Sequence, residues 1–128
     1  MPEFQMPITD TAGRVLWRYL DAFTRGYIEA MFFADMSENE TWELSQMSLE
    51  ALQQITKDCN LFRADTKIVA MIDGREEEAG RDFWYTRQGH GCGFWDGDWP
   101  GHGDAITERA KTFSECYPYL GDDGAIYL

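Results

Sequence analysis

The stretch from residue 81 to residue 104, RDFWYTRQGHGCGFWDGDWPGHGD, constrains the fold more than any other part of the chain. It holds three of the five tryptophans and six of the twelve glycines. Two short aromatic runs, 82–86 and 92–96, flank a glycine-containing turn at 88–91. Aromatic residues favour a pleated, half-buried surface, and glycine allows the positive φ of a tight turn. The pattern predicts a β-hairpin on which the rest of the chain packs.

Helical periodicity precedes this hairpin. Apolar residues at three- and four-residue spacing predict a helix over 14–34 and a second over 49–72. Ser48 is the predicted N-cap of the second helix, which is long enough for a bend near Asn60. Asp73 and Gly74 are expected to end it, and the charged residues 75–80 to connect it to the hairpin.

The chain after the hairpin predicts one more helix and one more hairpin. Asp104 is expected to cap a helix from Ala105 to Cys116. Two short apolar runs around Gly121-Asp122-Asp123-Gly124 predict a second hairpin with an Asp-Gly turn. Helices followed by strands predict an α+β fold, in which an antiparallel sheet of three to four strands packs against about three helices.

The 128 residues fit a single domain, predicted over 14–128, after a flexible N-terminal arm at 1–13 that contains Pro2, Pro7 and Gly13. The N-terminus lacks the basic start and the apolar stretch of a secretory signal, and no apolar run approaches the length of a membrane span. These features predict a cytoplasmic protein that does not bind membranes.

Acidic residues outnumber basic ones by 23 to 11, which gives a net charge of −12. This balance argues against direct nucleic-acid binding, which depends on clustered Lys and Arg. Two interpretations stay open, solubility and a partner with a basic surface. The carboxylates concentrate in 35–50 and 96–108, so we expect anionic patches instead of an even coat.

A metal or hydrolytic site is the competing interpretation of the Gly89–Asp104 region. His90, His102 and Asp96 are its weak candidate ligands, but their spacing matches no ligand pattern, and a glycine-rich loop does not align them. Cys92 lies near His90, yet no group that would orient a catalytic base is visible. We therefore predict no metal, no cofactor and no enzymatic activity.

The predicted hairpin also suggests a binding surface. Alternation places Phe83 and Tyr85 on one face of the sheet and Trp84 on the other, and helices can cover only one of these faces. The second face is either an exposed partner site or a small second core. The predicted partner-binding residues are Trp84, Trp95, Trp99, Asp96, Asp98, Asp104, Glu38, Glu40 and Glu43.

The runs RDFWYTRQGHGCGFWD (81–96) and YLGDDGAIY (119–127), together with the helical stretch 22–33, resemble a family of short uncharacterised proteins of tailed bacteriophages and related mobile elements. The resemblance implies an origin but no established activity or catalytic residues. It favours an accessory protein in the host cytoplasm, a monomer or small homo-oligomer.

Such a protein would bind a nucleic-acid-handling host protein, as a nucleic-acid mimic or an inhibitor of a host defence or nucleic-acid enzyme. The alternatives are a small metal-dependent or Cys/His hydrolase that uses the Gly89–Asp104 region, and a virion-associated structural protein.

Overall fold

The computed structural model describes residues 20–35, 42–89, 93–94 and 99–128. The elements along the chain are α1 (Ala22–Asp35), a 3-10 turn (Leu44–Gln46), α2 (Leu49–Phe62), α3 (Thr66–Ile72), α4 (Glu76–Arg87), α5 (Gly103–Lys111), β1 (Tyr119–Leu120) and β2 (Ile126–Tyr127). The predicted α+β fold with a sheet of three to four strands is wrong, because these residues form a helical structure with one two-stranded sheet. The predicted arm at 1–13 and the first residues of the predicted domain lie outside the described part.

The principal correction concerns the aromatic hairpin. Its predicted first strand, together with the predicted connector before it, forms helix α4. Three glutamates occupy the first turn of α4 and Arg87 lies in the last, the charge order that a helix dipole favours. Gly89, predicted as a hairpin turn, instead follows the helix end with φ +73° and donates its N–H to the carbonyl of Thr86. Of the predicted second strand, Gly93 and Phe94 are described, and they form a bend and a turn.

Burial along α4 explains why a helix is the better solution. Phe83 and Trp84 are both fully buried, although a strand would point them to opposite faces. Successive residues of a helix lie about 100° apart, so both side chains fit one broad apolar face. Phe83 stacks on Phe62 with ring centroids 4.3 Å apart, and Trp84 meets Tyr27 edge-on at 5.2 Å.

Two glycines bring α1 and α4 into close contact. A Cβ atom on Gly80 would lie 1.9 Å from the carbonyl oxygen of Phe23, and one on Gly26 would lie 2.1 Å from the carbonyl oxygen of Glu77. Neither position tolerates a side chain at this separation, because the neighbouring atoms belong to backbone. Gly80 therefore permits helix packing, whereas the sequence pattern placed it in a connector.

The first two predicted helices are partly correct. Helix α1 ends close to the predicted boundary and begins at Ala22, after Asp21, which accepts the N–H of Thr24 at 2.8 Å. Residues 14–19 of the predicted helix lie outside the described part. The predicted second helix is divided into α2 and α3, and Asp65 caps α3 by accepting the N–H of Lys67 at 2.8 Å. The break thus lies a few residues beyond the predicted bend. Ser48 caps α2 as predicted, because its hydroxyl accepts the N–H of Ala51 at 3.1 Å.

The C-terminal part of the chain holds one correction and one confirmed prediction. Helix α5 spans Gly103–Lys111, so it ends before Cys116, and Asp104 lies in its first turn while His102 occupies the N-cap position. The second predicted hairpin is confirmed, since β1 and β2 pair in antiparallel register. The N–H of Ser48 donates to the carbonyl of Ile126 at 3.0 Å, which ties this hairpin to the start of α2.

The buried apolar side chains of the described residues form one cluster, to which every helix contributes. Trp42 joins it from the connection between α1 and α2, with its ring 6.0 Å from that of Phe32. Trp42 therefore holds the described end of that connection against the core. None of the described helices combines the length and the apolar character that crossing a membrane requires.

Candidate functional site: a groove beside the C-terminal segment

The predicted partner-binding residues are not brought together by the described structure. Trp84 is fully buried in the core, and Trp99 is buried against α4, where its Nε1 donates to Asp82 at 2.7 Å. The guanidinium of Arg75 covers the ring of Trp99 at 3.8 Å. Neither ring is presented to a partner. The described residues do not form the exposed sheet face on which this hypothesis rested, because the predicted first strand is helical.

Two acidic members of the predicted site lie on the surface. Glu43 is exposed before the 3-10 turn, and Asp104 is exposed in the first turn of α5. The other predicted residues lie outside the described part of the chain: Glu38, Glu40, Trp95, Asp96 and Asp98.

The residues of the competing hydrolase interpretation are mostly outside the description as well. His90, Cys92 and Asp96 are not described, and His102 is exposed at the start of α5. Within the ranges that the structure does describe, no group of three or more His, Cys, Asp or Glu side chains is placed to hold a metal ion.

The described surface also has clefts between α2 and residues 112–128, which we call the C-terminal segment. A cleft of about 750 Å³ runs along this boundary, and a second of about 290 Å³ continues beside it. Both are lined by Gln54, Tyr119 and Leu128, so they form one groove. We call the two clefts together the C-terminal groove.

A buried arginine at the end of α4 builds the floor of this groove. Arg87 donates from Nη1 to Asp58 at 2.9 Å and to the hydroxyl of Tyr27 at 3.0 Å. Its Nε and Nη2 donate to the carbonyl oxygen of Ser114 at 3.0 and 2.5 Å. Each nitrogen of the guanidinium is engaged within the protein, so Arg87 serves to shape the groove and not to capture an anion.

The protonation states of this floor follow from its contacts. Burial by itself lowers the pKa of Arg87, but Tyr27, Asp58 and Cys116 outweigh it, and the net pKa is raised. Burial also raises the pKa of Tyr27 well above its ordinary value, with Cys116 adding to the effect. Arg87 is therefore a cation throughout the physiological range, and Tyr27 is a neutral phenol that accepts its hydrogen bond. Asp58 balances the buried charge.

Gln88, the residue after Arg87, fixes the start of the C-terminal segment. Its amide accepts the backbone N–H of Cys116 at 2.9 Å and donates to the carbonyl of Cys116 at 2.7 Å. Residues 114–118 run without helix or strand, and Pro118 keeps the backbone before it extended. Because Arg87 and Gln88 satisfy the inward-facing backbone groups, the tyrosines of this segment are left on the rim.

The rim of the groove is aromatic and acidic. Tyr117 and Tyr119 are 72% and 53% exposed, and Leu61 and Leu120 lie partly exposed nearby. The hydroxyl of Tyr117 donates to Glu115 at 3.2 Å, and this hydrogen bond raises the pKa of Tyr117. Exposed aromatic rings beside polar groups are typical of protein interfaces.

The hairpin end of the rim repeats this arrangement. The ring of Tyr119 stacks on that of Tyr127 at 5.7 Å, and the hydroxyl of Tyr127 donates to Asp123 at 2.5 Å. That bond, together with the N–H of Ala125, lowers the pKa of Asp123, and the same bond raises the pKa of Tyr127. Asp123 is consequently an anion at neutral pH.

The sequence pattern missed this site although a signal for it exists. Glu115, Tyr117 and Tyr119 alternate along a stretch that Pro118 marks as extended, so period-2 spacing places their side chains on one side. The pattern instead predicted that the third helix continues to Cys116, directly before Tyr117. That helix ends at Lys111, and Tyr117 is one of the most exposed large side chains described.

No protein-family model, curated protein or solved structure matches the chain in the comparisons made. The likeness to proteins of tailed bacteriophages therefore stays a prediction.

Proposed function

We propose that the protein is a non-enzymatic binding protein that contacts a partner with a basic surface, and that the C-terminal groove is the place of contact. The observation that carries this proposal is the rim, where the exposed rings of Tyr117 and Tyr119 stand beside Glu115 and Asp123. Aromatic anchors surrounded by charge that complements the partner are features of specific protein interfaces.

The placement of the arginines also supports a basic partner. Arg63 and Arg87 are buried and paired with Asp21 and Asp58, so they contribute little to the outer surface. Each of these pairs is neutral, so the net charge of −12 is carried by the remaining 21 acidic and 9 basic residues. A basic partner is attracted at long range by such a surface, and this accelerates association.

A basic surface that attracts carboxylates is commonly one that binds nucleic acid, since phosphate contacts depend on Lys and Arg. We therefore propose that the protein acts in the host cytoplasm and competes with nucleic acid for its partner. It would inhibit that partner by occupying the surface that phosphates otherwise contact.

The test is capture from a bacterial lysate by the immobilised protein at low and at high salt, with identification by mass spectrometry. We expect nucleic-acid-handling proteins to be retained at low salt, and to be released by salt or by added double-stranded DNA. Retention that neither salt nor DNA affects, or no specific retention at low salt, would contradict the proposal. The matched control is the protein with both Glu115→Gln and Asp123→Asn, which should retain less of these partners than the unchanged protein.

A further inference from the structure

The rim of the C-terminal groove contains two units in which an aromatic ring and a carboxylate are joined by a hydrogen bond. The first consists of Tyr117 and Glu115, whose atoms Oη and Oε2 lie 3.2 Å apart. The second consists of the stacked rings of Tyr119 and Tyr127, with Asp123 bound to the hydroxyl of Tyr127. In both units the carboxylate keeps lone pairs for another donor, because a carboxylate accepts about four hydrogen bonds.

This combination of groups is suited to a guanidinium ion. A guanidinium is planar and weakly hydrated, so it stacks on an aromatic face while its N–H groups pair with a carboxylate. An ammonium is more strongly hydrated and presents no plane to stack. A surface that offers both a ring and a carboxylate should therefore prefer arginine to lysine.

The same arrangement is used inside this protein. The guanidinium of Arg63 lies 4.6 Å from the ring centroid of Phe23 and also pairs with Asp21 at 3.0 Å. Arg75 covers Trp99 and pairs with Glu78. These internal examples show the geometry that an arginine from a partner would adopt on the exposed units.

The charges that line the groove select a cationic occupant. Glu50 and Glu115 belong to its lining, and Asp123 lies on the adjoining hairpin. Arg87 is neutralised by Asp58, which leaves Lys57 as the exposed cation among the lining side chains. A second copy of this chain is a poor occupant, because two molecules of charge −12 repel each other.

We propose that the C-terminal groove binds an extended, arginine-bearing segment of a protein partner, with the two aromatic–carboxylate units receiving its guanidinium groups. This inference rests on the proposed function and specifies the partner's chemistry. This inference requires that the partner presents arginine in preference to lysine, whereas the proposed function requires only a basic surface.

The probe is a short fluorescent peptide of alternating Gly and Arg, compared with the peptides in which Lys or citrulline replaces Arg. Fluorescence anisotropy at low salt measures each dissociation constant. We expect the arginine peptide to bind about threefold more tightly than the lysine peptide per favourable stacking contact. The citrulline peptide keeps the shape but has no charge, and we expect no binding of it.

Three variants locate the binding. Tyr117→Leu removes the ring but keeps apolar bulk at an exposed position, and Glu115→Gln removes one charge; each should weaken arginine-peptide binding about threefold. Lys57→Gln should strengthen it, because it removes the repelling cation from the groove. Glu29→Gln makes the same charge change on α1, away from the groove lining, and should leave binding nearly unchanged. Circular dichroism melting confirms that each variant is folded.

Two results would overturn the inference while the proposed function survives. These are equal affinity for the arginine and lysine peptides, and equal weakening by Glu29→Gln and Glu115→Gln. Weaker binding in Lys57→Gln would also overturn it, since that result indicates an anionic occupant. Failure of every cationic peptide to bind at low salt would contradict the proposed function as well. Dimerisation through the groove, detected by sedimentation and abolished by Tyr117→Leu, would replace the partner segment with a second copy.

Discussion

Arg87 at the end of α4 donates to the hydroxyl of Tyr27 in α1 at 3.0 Å, and the same nitrogen reaches Asp58 in α2 at 2.9 Å. The opposite side of the guanidinium binds the carbonyl of Ser114. One buried side chain thus joins three helices to the segment that carries the rim. The groove depends on this junction for its shape.

Replacing Arg87 with leucine should lower the free energy of unfolding by about 3–5 kcal/mol, because Asp58 is left without its buried partner. Chemical denaturation followed by circular dichroism measures the change. The control is Arg81→Leu, which breaks an exposed pair with Glu77 on the same helix and should cost about 0.5 kcal/mol. Equal losses in the two variants would contradict the role assigned to Arg87.

Gly80→Ala tests the packing of α4 against α1. The added Cβ would lie 1.9 Å from the carbonyl oxygen of Phe23, so the helices must separate, and we expect a loss of about 1–3 kcal/mol. In an open connector, which the sequence pattern predicted, the same change would be neutral or stabilising. Gly89→Ala is a control for backbone strain alone, since φ is +73° but no atom lies within 4 Å; about 1 kcal/mol is expected there.

Substitutions of Trp84 test whether this residue belongs to the core or is an interface anchor. Its side chain is fully buried, so Trp84→Ala should lower the free energy of unfolding by about 3–5 kcal/mol. Trp84→Phe should keep the fold and leave binding of the arginine peptide unchanged. Faster dissociation in the folded Trp84→Phe variant, measured by stopped flow, would restore Trp84 as an anchor.

The hairpin gives a prediction on pH. The hydroxyl of Tyr127 and the N–H of Ala125 lower the pKa of Asp123 below its ordinary value of 3.8. The contact therefore stabilises the folded hairpin above that ordinary pKa and is lost as the pH falls through the lowered one. NMR titration of the Asp123 carboxyl should show the lowered pKa, and Tyr127→Phe should move it upward. An unchanged pKa in Tyr127→Phe would show that the hydroxyl is not the cause.

The elements that were predicted correctly are those that are determined by residues close together in the sequence. Ser48 caps a helix through its own hydroxyl, and the residues around Asp123 and Gly124 turn a hairpin through their own backbone preferences. Helix α4 could not be predicted in this way. Its aromatic run suits a strand, and its helical state is supported by the close approach at Gly80 and the stacking of Phe83 on Phe62, contacts with distant parts of the chain.

The groove could not be predicted from the sequence for the same reason. Two of the tryptophans assigned to a partner, Trp84 and Trp99, are buried in the core once α4 is helical. The rim could not be predicted without two structural facts. Helix α5 ends at Lys111, and Arg87 and Gln88 bind the backbone of the segment that follows it. The acidity of the chain was visible from the sequence, but the place where carboxylates meet exposed rings was not.

The most direct test of the account is an NMR footprint of the bound arginine peptide on isotope-labelled protein at low salt. We expect the largest chemical-shift changes at the amides and side chains of Glu115, Tyr117, Tyr119 and Tyr127, with smaller changes at Gln54 and Lys57 across the groove. We also expect the NMR signals of Glu43 and Asp104 to stay close to their chemical shifts in the peptide-free protein. Shifts concentrated in residues 89–104, or spread evenly over all exposed carboxylates, would contradict the assignment of the C-terminal groove as the binding site.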